Sequence, residues 1–145
     1  MKHDVFPKTN YIPPPWLRNP HLQTILASLR VRNIRKRSML DISKTIIVEA
    51  GDGVRLLGYQ TKQDSRSSKG QIIFLHGWEG SAESAYIVSA AHYFFHRGFD
   101  VFRLNLRDHG ESHHLNEGLF HGALLDETFA AGKNIAHMLP GLPCY

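Results

Sequence analysis

The sequence predicts an α/β fold, and three neighbouring segments carry that prediction. Gln71–Leu75 is short and nearly all apolar, as is typical of a strand covered on both faces. A helical pattern over residues 84–97 follows it, and residues 100–106 are predicted to form the next strand. Strand, helix and strand in close succession make a βαβ unit, which places two parallel strands side by side with a right-handed crossover.

The elements before this unit are a helix and a hairpin. Residues 19–27 predict a helix, with Asn19 as N-cap and Pro20 at the first helical position. Residues 45–49 predict a strand, and Asp52-Gly53 is a strong tight-turn signal. Residues 54–59 then predict the partner strand of a β-hairpin.

The elements after the first strand of the unit are bounded by glycine and proline. The helix predicted over residues 84–97 is followed by Gly98, which takes the position just after the last helical residue where glycine commonly ends a helix. A second helix is predicted over residues 123–139, and the segment Pro140–Pro143 stops it. Cys144 and Tyr145 are predicted to begin a further strand.

Composition excludes several classes of protein. A chain of 145 residues with 42% hydrophobic and 21% charged residues is neither disordered nor fibrous. No apolar run approaches the roughly 18 residues of a membrane helix, and the first residues lack the apolar region of a secretory signal. The single cysteine, Cys144, excludes an internal disulfide and is compatible with a reducing compartment, so a cytoplasmic location is expected. We expect an N-terminal extension over residues 1–43 and an α/β domain over residues 44–145.

The positive charge is concentrated in the N-terminal third. Residues 1–50 carry nine Lys/Arg and three Asp/Glu, whereas residues 51–145 carry eight and ten. A solvated connector is the favoured interpretation of the basic run Arg30–Arg37, and peripheral contact with an anionic membrane surface stays open. No aromatic residue interleaves the run and no nucleic-acid motif accompanies it, so no nucleic-acid partner is expected.

The loop after the first strand of the βαβ unit is rich in glycine. It has the sequence His76-Gly77-Trp78-Glu79-Gly80. Glycines let backbone N–H groups approach a substrate oxygen, and two such N–H groups stabilise the oxyanion of a tetrahedral intermediate. A tight strand-to-helix turn without catalytic role explains this loop equally well, so the pattern alone leaves both interpretations open.

Three motifs, in order, resemble the YheT-like group of α/β-fold hydrolases: Asn19–Thr24 (NPHLQT), Leu75–Tyr86 (LHGWEGSAESAY) and Arg97–Val101. The resemblance extends from about Pro13 to Asp126. It implies the N-terminal part of an α/β-hydrolase fold, namely a hairpin followed by strand, helix, strand and helix in an incomplete sheet. Two segments depart from the group: its Cys-Ser-Gly type sequence is replaced by Asp108–Ser112, and its Tyr-His-Ser-Gly segment by Leu119–Gly122.

The resemblance also implies a function and a site. It implies a serine esterase or lipase that acts on small carboxylic esters or lipids, with no cofactor and no metal. The backbone N–H of Trp78 would then be an oxyanion-hole donor, and His121 would line the substrate pocket. His76, Gly77 and Gly80 would shape the loop rather than react.

A nucleophile is not found in this sequence. The G-x-S-x-G elbow is absent, and the nearest match, Gly110–His114, has histidine at the fifth position. Ser112 within it is better explained as a loop-capping serine. Because the chain order of the triad is Ser, Asp or Glu, then His, all three are expected beyond Tyr145. Whether the chain is itself an enzyme therefore stays open, and we expect it to be inactive alone. We also expect the edge of strand 71–75 to be exposed, which would make the chain poorly soluble or partly molten.

Two alternatives remain. In the first, the chain is a non-enzymatic truncated product or a binding module, and it pairs with a C-terminal partner chain through the edge of strand 71–75. In the second, the chain is a histidine-rich metal-binding protein. The second alternative relies on His109, His113, His114 and His121. No zinc-site spacing is present among them, and adjacent histidines in extended backbone diverge. His92 and His96 share a helix face, for which a half-exposed flank is the favoured interpretation.

Overall fold

The structure is a computed structural model that describes residues 12–28, 37–64 and 68–145. It contains four strands and four α-helices within those ranges, and short 3-10 helices at Pro15–Leu17 and Gly110–Ser112. The strands are β1 (Lys44–Glu49), β2 (Arg55–Thr61), β3 (Gln71–Leu75) and β4 (Asp100–Leu104). The helices are α1 (Pro20–Ser28), α2 (Arg37–Asp41), α3 (Ala85–Phe95) and α4 (Leu125–His137).

The strands form one open sheet in the order β1-β2-β4-β3. β2 pairs antiparallel with both β1 and β4, whereas β3 and β4 are parallel and are joined through α3. The register of the parallel pair runs from Gln71 opposite Asp100 to Leu75 opposite Leu104. The predicted βαβ unit is therefore present, and the carboxyl ends of β3 and β4 lie next to each other.

Both faces of the sheet are covered by helices. On the α4 face, Phe102 and Leu104 of β4 pack with Ala131 and Ile135. On the opposite face, Val101 packs with Val88 and Ala91 of α3 and with Met39 of α2. All five residues of β4 are buried, including the charged residues Asp100 and Arg103.

The predicted elements are present, with ends that differ by a few residues. Gln71–Leu75 has the predicted bounds, and the helices predicted over 84–97 and 123–139 are shorter at both ends. Asn19 caps α1, since its side-chain oxygen accepts hydrogen bonds from the N–H groups of His21 and Leu22. The short helix α2 was not predicted, because five residues are too few to show a helical period.

β3 is the edge strand, as the sequence predicted, and residues 143–145 cover its first half. The N–H groups of Gln71 and Ile73 donate to the carbonyls of Pro143 and Tyr145, and the Tyr145 N–H donates to Gln71. Gln71 and Cys144 form a parallel bridge. The predicted start of a further strand at Cys144 is thus confirmed.

The N-terminal third is only partly described. Residues 29–36, which include Arg30–Lys36 of the basic run, lie outside the described residues, and Arg37 begins α2. Within the described ranges, no helix is long and apolar enough to cross a bilayer.

Candidate active site

The candidate site is the loop of residues 76–84, which joins the carboxyl end of β3 to α3. Its first turn is closed by a hydrogen bond of 3.0 Å from the Gly80 N–H to the Gly77 carbonyl. Glu79 in this turn has a φ of +52°, in the left-handed region that non-glycine residues seldom adopt. A Cβ on Gly80 would lie 3.0 Å from the Tyr86 hydroxyl and the Gly77 oxygen, so the tight turn depends on glycine there.

His76 braces the loop against the end of β4. Its Nδ1 lies 2.9 Å from the Gly77 carbonyl oxygen, and its Nε2 accepts the Leu106 N–H at 3.1 Å. Because the first partner is an acceptor and the second a donor, the ring is neutral with its proton on Nδ1. Burial lowers the pKa of His76 below its usual value, which also favours the neutral ring. With both nitrogens bonded to backbone, His76 holds the loop in place.

Two side chains of the β4 segment clamp the middle of the loop at Ala82, which is fully buried. Asn105 Oδ1 accepts the Ala82 N–H at 2.7 Å, and Arg103 Nη1 donates to the Ala82 carbonyl at 3.0 Å. A Cβ on Gly110 would lie 2.9 Å from Asn105 Oδ1, so the next loop makes room for this asparagine through a glycine at φ +61°. The N–H and the carbonyl of Ala82 are therefore both held by side chains from the end of β4 and the residue after it.

Arg103 is a buried cation without a carboxylate partner among the described residues. Its guanidinium lies over the Tyr59 ring, 5.1 Å from the ring centre, and its Nη2 donates to Ser43 Oγ at 3.4 Å. Its Nε makes no hydrogen bond within the described part of the chain. Burial lowers the pKa of Arg103.

The backbone N–H groups of the loop are almost all bonded. From Gly77 to Ser84, only the N–H groups of Trp78 and Glu79 have no hydrogen-bond acceptor among the described residues. The Gly77 N–H donates to the Tyr86 hydroxyl at 2.7 Å, and the remaining ones donate to the carbonyls or side chains of Gly77, Ser81, Ser84 and Asn105. The side chain of Trp78 is 81% exposed. The loop thus presents two adjacent free donors on a turn that is fixed at several points.

The loop after β4 is anchored to α4 by an ion pair. Arg107 Nη2 lies 2.5 Å from Glu127 Oε2, and both side chains are largely buried. Arg107 Nη1 also donates to the Glu117 carbonyl at 3.0 Å. The arginine therefore joins the two ends of residues 107–118 to the helix that follows.

The other residues considered from the sequence are not gathered around the loop. Ser112 is buried and donates to the His109 carbonyl at 2.7 Å. His121 is exposed, and no hydrogen bond or ring contact joins its side chain to residues 76–80 within the described ranges. His113 pairs with Asp108 at 2.6 Å. Nowhere in the described residues do three or more His, Cys, Asp or Glu side chains converge on a metal site.

Solved structures with a similar arrangement were found, although no family model and no curated protein sequence matches the chain. A Xanthomonas campestris α/β serine hydrolase without a lid matches with a TM-score of 0.58 at 19% identity, over 70% of this chain and 48% of its own. A Pyrococcus furiosus esterase matches at 0.57 and 20% identity, over 68% and 35%. A third match, at 0.56 and 24% identity over 70% and 46%, is an Agrobacterium tumefaciens protein of unknown function provisionally assigned to the α/β hydrolases.

The chain has an α/β-hydrolase fold. It spans less than half the length of each of these three chains. In this α/β-hydrolase fold, the candidate loop lies at the carboxyl edge of the parallel pair, where open α/β sheets bind ligands.

Three residues of the site escaped the sequence analysis: Arg103, Asn105 and Tyr86. Asn105 is 23 positions from its partner Ala82, and such a distant contact leaves no local pattern. Arg103 was itself a signal, because a charged residue between Phe102 and Leu104 in a predicted strand needs a buried partner. Tyr86 lies in the first turn of the predicted helix, and nothing in that position indicates a contact with Gly77.

Proposed function

We propose that this chain supplies the oxyanion-binding side of a serine esterase or lipase of the YheT-like group, acting on small carboxylic esters or lipid esters. The observation that carries the proposal is the free backbone N–H of Trp78, on a loop that His76, Asn105, Arg103 and Tyr86 hold in position. A donor held rigidly before the reaction stabilises developing negative charge without reorganisation.

In the proposed reaction, a serine oxygen attacks the ester carbonyl and a histidine takes the serine proton. The carbonyl oxygen becomes the oxyanion, which accepts a hydrogen bond from the Trp78 N–H and from the N–H after the nucleophile. The loss of one such donor costs about 2.7–4 kcal/mol of transition-state stabilisation in comparable sites. His76 is not the base in this scheme, because both of its nitrogens are bonded to backbone.

The nucleophile, the acid and the base are proposed to come from polypeptide outside residues 1–145. The sequence has no G-x-S-x-G segment, and the hydroxyl of Ser112 is committed to the His109 carbonyl. The chain alone is therefore proposed to be inactive.

A fluorophosphonate probe, which labels activated serines covalently, tests this proposal on the refolded chain. We expect no labelling above that of a heat-denatured sample, with an intact serine esterase as positive control. Labelling that is lost in Ser112→Ala would show that the chain carries its own nucleophile. That result would overturn the assignment of this chain as the oxyanion side alone.

A second candidate function is a non-enzymatic module that pairs with a separate C-terminal chain. The observation that favours it is an apolar groove between β3 and α4, with a volume of about 650 Å³. We call it the β3–α4 groove; it is lined by Ile73, Leu75, Leu125, Phe129, Tyr145 and their neighbours. It lies beside the edge of β3, where a strand of another chain would complete the sheet.

A further inference from the structure

We propose that His92 and His96 of α3 form a binding site for a divalent transition-metal ion that prefers nitrogen ligands, with Cu²⁺ and Ni²⁺ as the ions best suited. The two Nε2 atoms lie 3.0 Å apart, and the ring centres are 4.2 Å apart with an angle of 65° between the rings. Two ring nitrogens are therefore already close enough together to bind one ion. This site is independent of the proposed ester hydrolysis.

The separation of the two nitrogens suits one coordination geometry better than another. Metal–imidazole bonds are about 2.0 Å long, so two nitrogens in cis positions of a square-planar or octahedral ion lie about 2.8–2.9 Å apart. In a tetrahedral site the same bonds place the nitrogens about 3.3 Å apart. The observed 3.0 Å is closer to the cis arrangement, which Cu²⁺ and Ni²⁺ adopt with nitrogen ligands.

The helix fixes this pair before any ion binds. Residues four apart lie on one helix face, and the His96 N–H donates to the His92 carbonyl, so the turn that carries both rings is formed. His96 is also the C-cap residue of α3, and the carboxyl end of a helix favours a positive charge. The Phe95 and His96 rings form a T-shaped pair, with ring centres 5.8 Å apart.

The other described histidines offer no equivalent pair. His76 has both nitrogens bonded to backbone, His109 Nδ1 faces the Arg107 carbonyl, and His113 Nδ1 faces Asp108. Within the described residues, His92 and His96 alone bring two ring nitrogens within hydrogen-bond distance of each other. The adjacent cation, Arg97, stacks on the Tyr93 ring at 3.4 Å.

Binding changes the tautomer of one ring and leaves its charge unchanged. In the ion-free pair, the Nε2–H of one neutral ring donates a hydrogen bond to the Nε2 of the other. With the ion bound, both Nε2 lone pairs coordinate, and the donor ring carries its proton on Nδ1 instead. The remaining coordination positions are left to water, since His96 is exposed and His92 is half-buried.

Titration of the full chain with Cu²⁺ and Ni²⁺, followed by calorimetry and by Cu²⁺ electron paramagnetic resonance, tests the site. All samples carry His3→Gln, because a free amino terminus with histidine in third place chelates the same ions. We expect one ion per chain, with a spectrum that shows two imidazole nitrogens. His92→Gln or His96→Gln should each weaken binding at least about tenfold. Loss of a hydrogen-bond partner of a metal ligand already has an effect of that size, and here a ligand itself is lost.

The matched control is His113→Gln/His114→Gln, which removes two histidines outside α3. It should bind the ion as tightly as the His3→Gln parent. The proposal is overturned if the single α3 variants retain full affinity while their far-UV circular dichroism is unchanged. It is also overturned if the control loses as much affinity as they do.

Discussion

At the scale of single residues, the candidate site is held by bonds from side chains to backbone. His76, Asn105 and Arg103 each bond to main-chain atoms across the gap between β3 and β4. A buried backbone group must find a partner, and a side chain from the neighbouring strand supplies it here. The position of the Trp78 N–H is therefore set by the side chains of these three residues.

Asn105→Ala should loosen the loop locally. The buried Ala82 N–H loses its acceptor, which costs about 1–3 kcal/mol. Amide hydrogen exchange should become about 10- to 100-fold faster at Ala82 and remain unchanged at Ile135 in the distant core of α4. Unchanged exchange at Ala82 would contradict the clamp.

His76 should make stability depend on pH. Its pKa in the folded state is lowered by burial, so the folded chain binds fewer protons than the unfolded chain. The stabilisation is complete above pH about 6.5 and is lost as the pH falls through the folded-state pKa. This contribution changes the free energy of unfolding by at most about 1.4 kcal/mol per pH unit.

Urea unfolding between pH 7.5 and pH 5 measures this effect. His76→Asn removes the titrating ring and should give a smaller loss of stability on acidification than the wild type. His121→Asn, at an exposed position, is the control and should follow the wild type. Equal pH dependence in the wild type and His76→Asn would show that the ring is not held neutral by the fold.

At the scale of elements, the loops after β3 and β4 are positioned by the parallel pair and by α4. The Arg107–Glu127 pair connects the β4 loop to the first turns of α4. Largely buried pairs of this kind are costly to break, because the remaining charge is left without its partner. The ion pair thus helps to hold residues 107–118, together with the two hydrogen bonds between the Asn116 side chain and the Arg55 backbone.

Glu127→Gln should destabilise the chain by about 3 kcal/mol and expose residues 107–118 to proteolysis. Glu117→Gln is the matched control, since Glu117 is exposed and contacts Arg107 through its backbone carbonyl alone. Urea unfolding and limited digestion with proteinase K, which has little sequence preference, measure the two effects. If the two variants behave alike, the ion pair does not anchor the loop.

The strands and long helices were predictable because their signals are local. Gln71–Leu75 is apolar and bounded by glycines on both sides, and Asp52-Gly53 marks the hairpin turn. By contrast, α2 is too short to show the apolar periodicity of a helix, and Met39 within it is buried through contacts with residues distant in sequence. The candidate loop was predictable from its glycines, whereas its clamp by Asn105 and Arg103 depends on the pairing of β3 with β4.

At the scale of the whole molecule, the chain leaves an apolar surface beside an edge strand. In the β3–α4 groove, Leu125 and Phe129 are each 71% exposed and Tyr145 is 68% exposed. Residues 143–145 pair with the first half of β3, and Leu75 at its other end is half exposed. Exposed apolar surface next to a strand edge promotes association between chains.

Leu125→Glu/Phe129→Glu should therefore increase the fraction of soluble monomer. Both side chains point out of the α4 face, so the core is left intact. Leu119→Glu is the control, because Leu119 is 77% exposed but lies outside the groove. Sedimentation velocity measures the monomer fraction. A wild-type chain that is already monomeric and melts in one cooperative step would contradict this prediction.

The most direct test of the proposed function is to sequence the source DNA beyond codon 145 in all three frames. We predict a G-x-S-x-G segment within about 20 codons, preceded by an apolar strand, since that elbow would place the nucleophile beside the Trp78 N–H. If no frame encodes such an elbow, the proposal that this loop belongs to a serine esterase is contradicted.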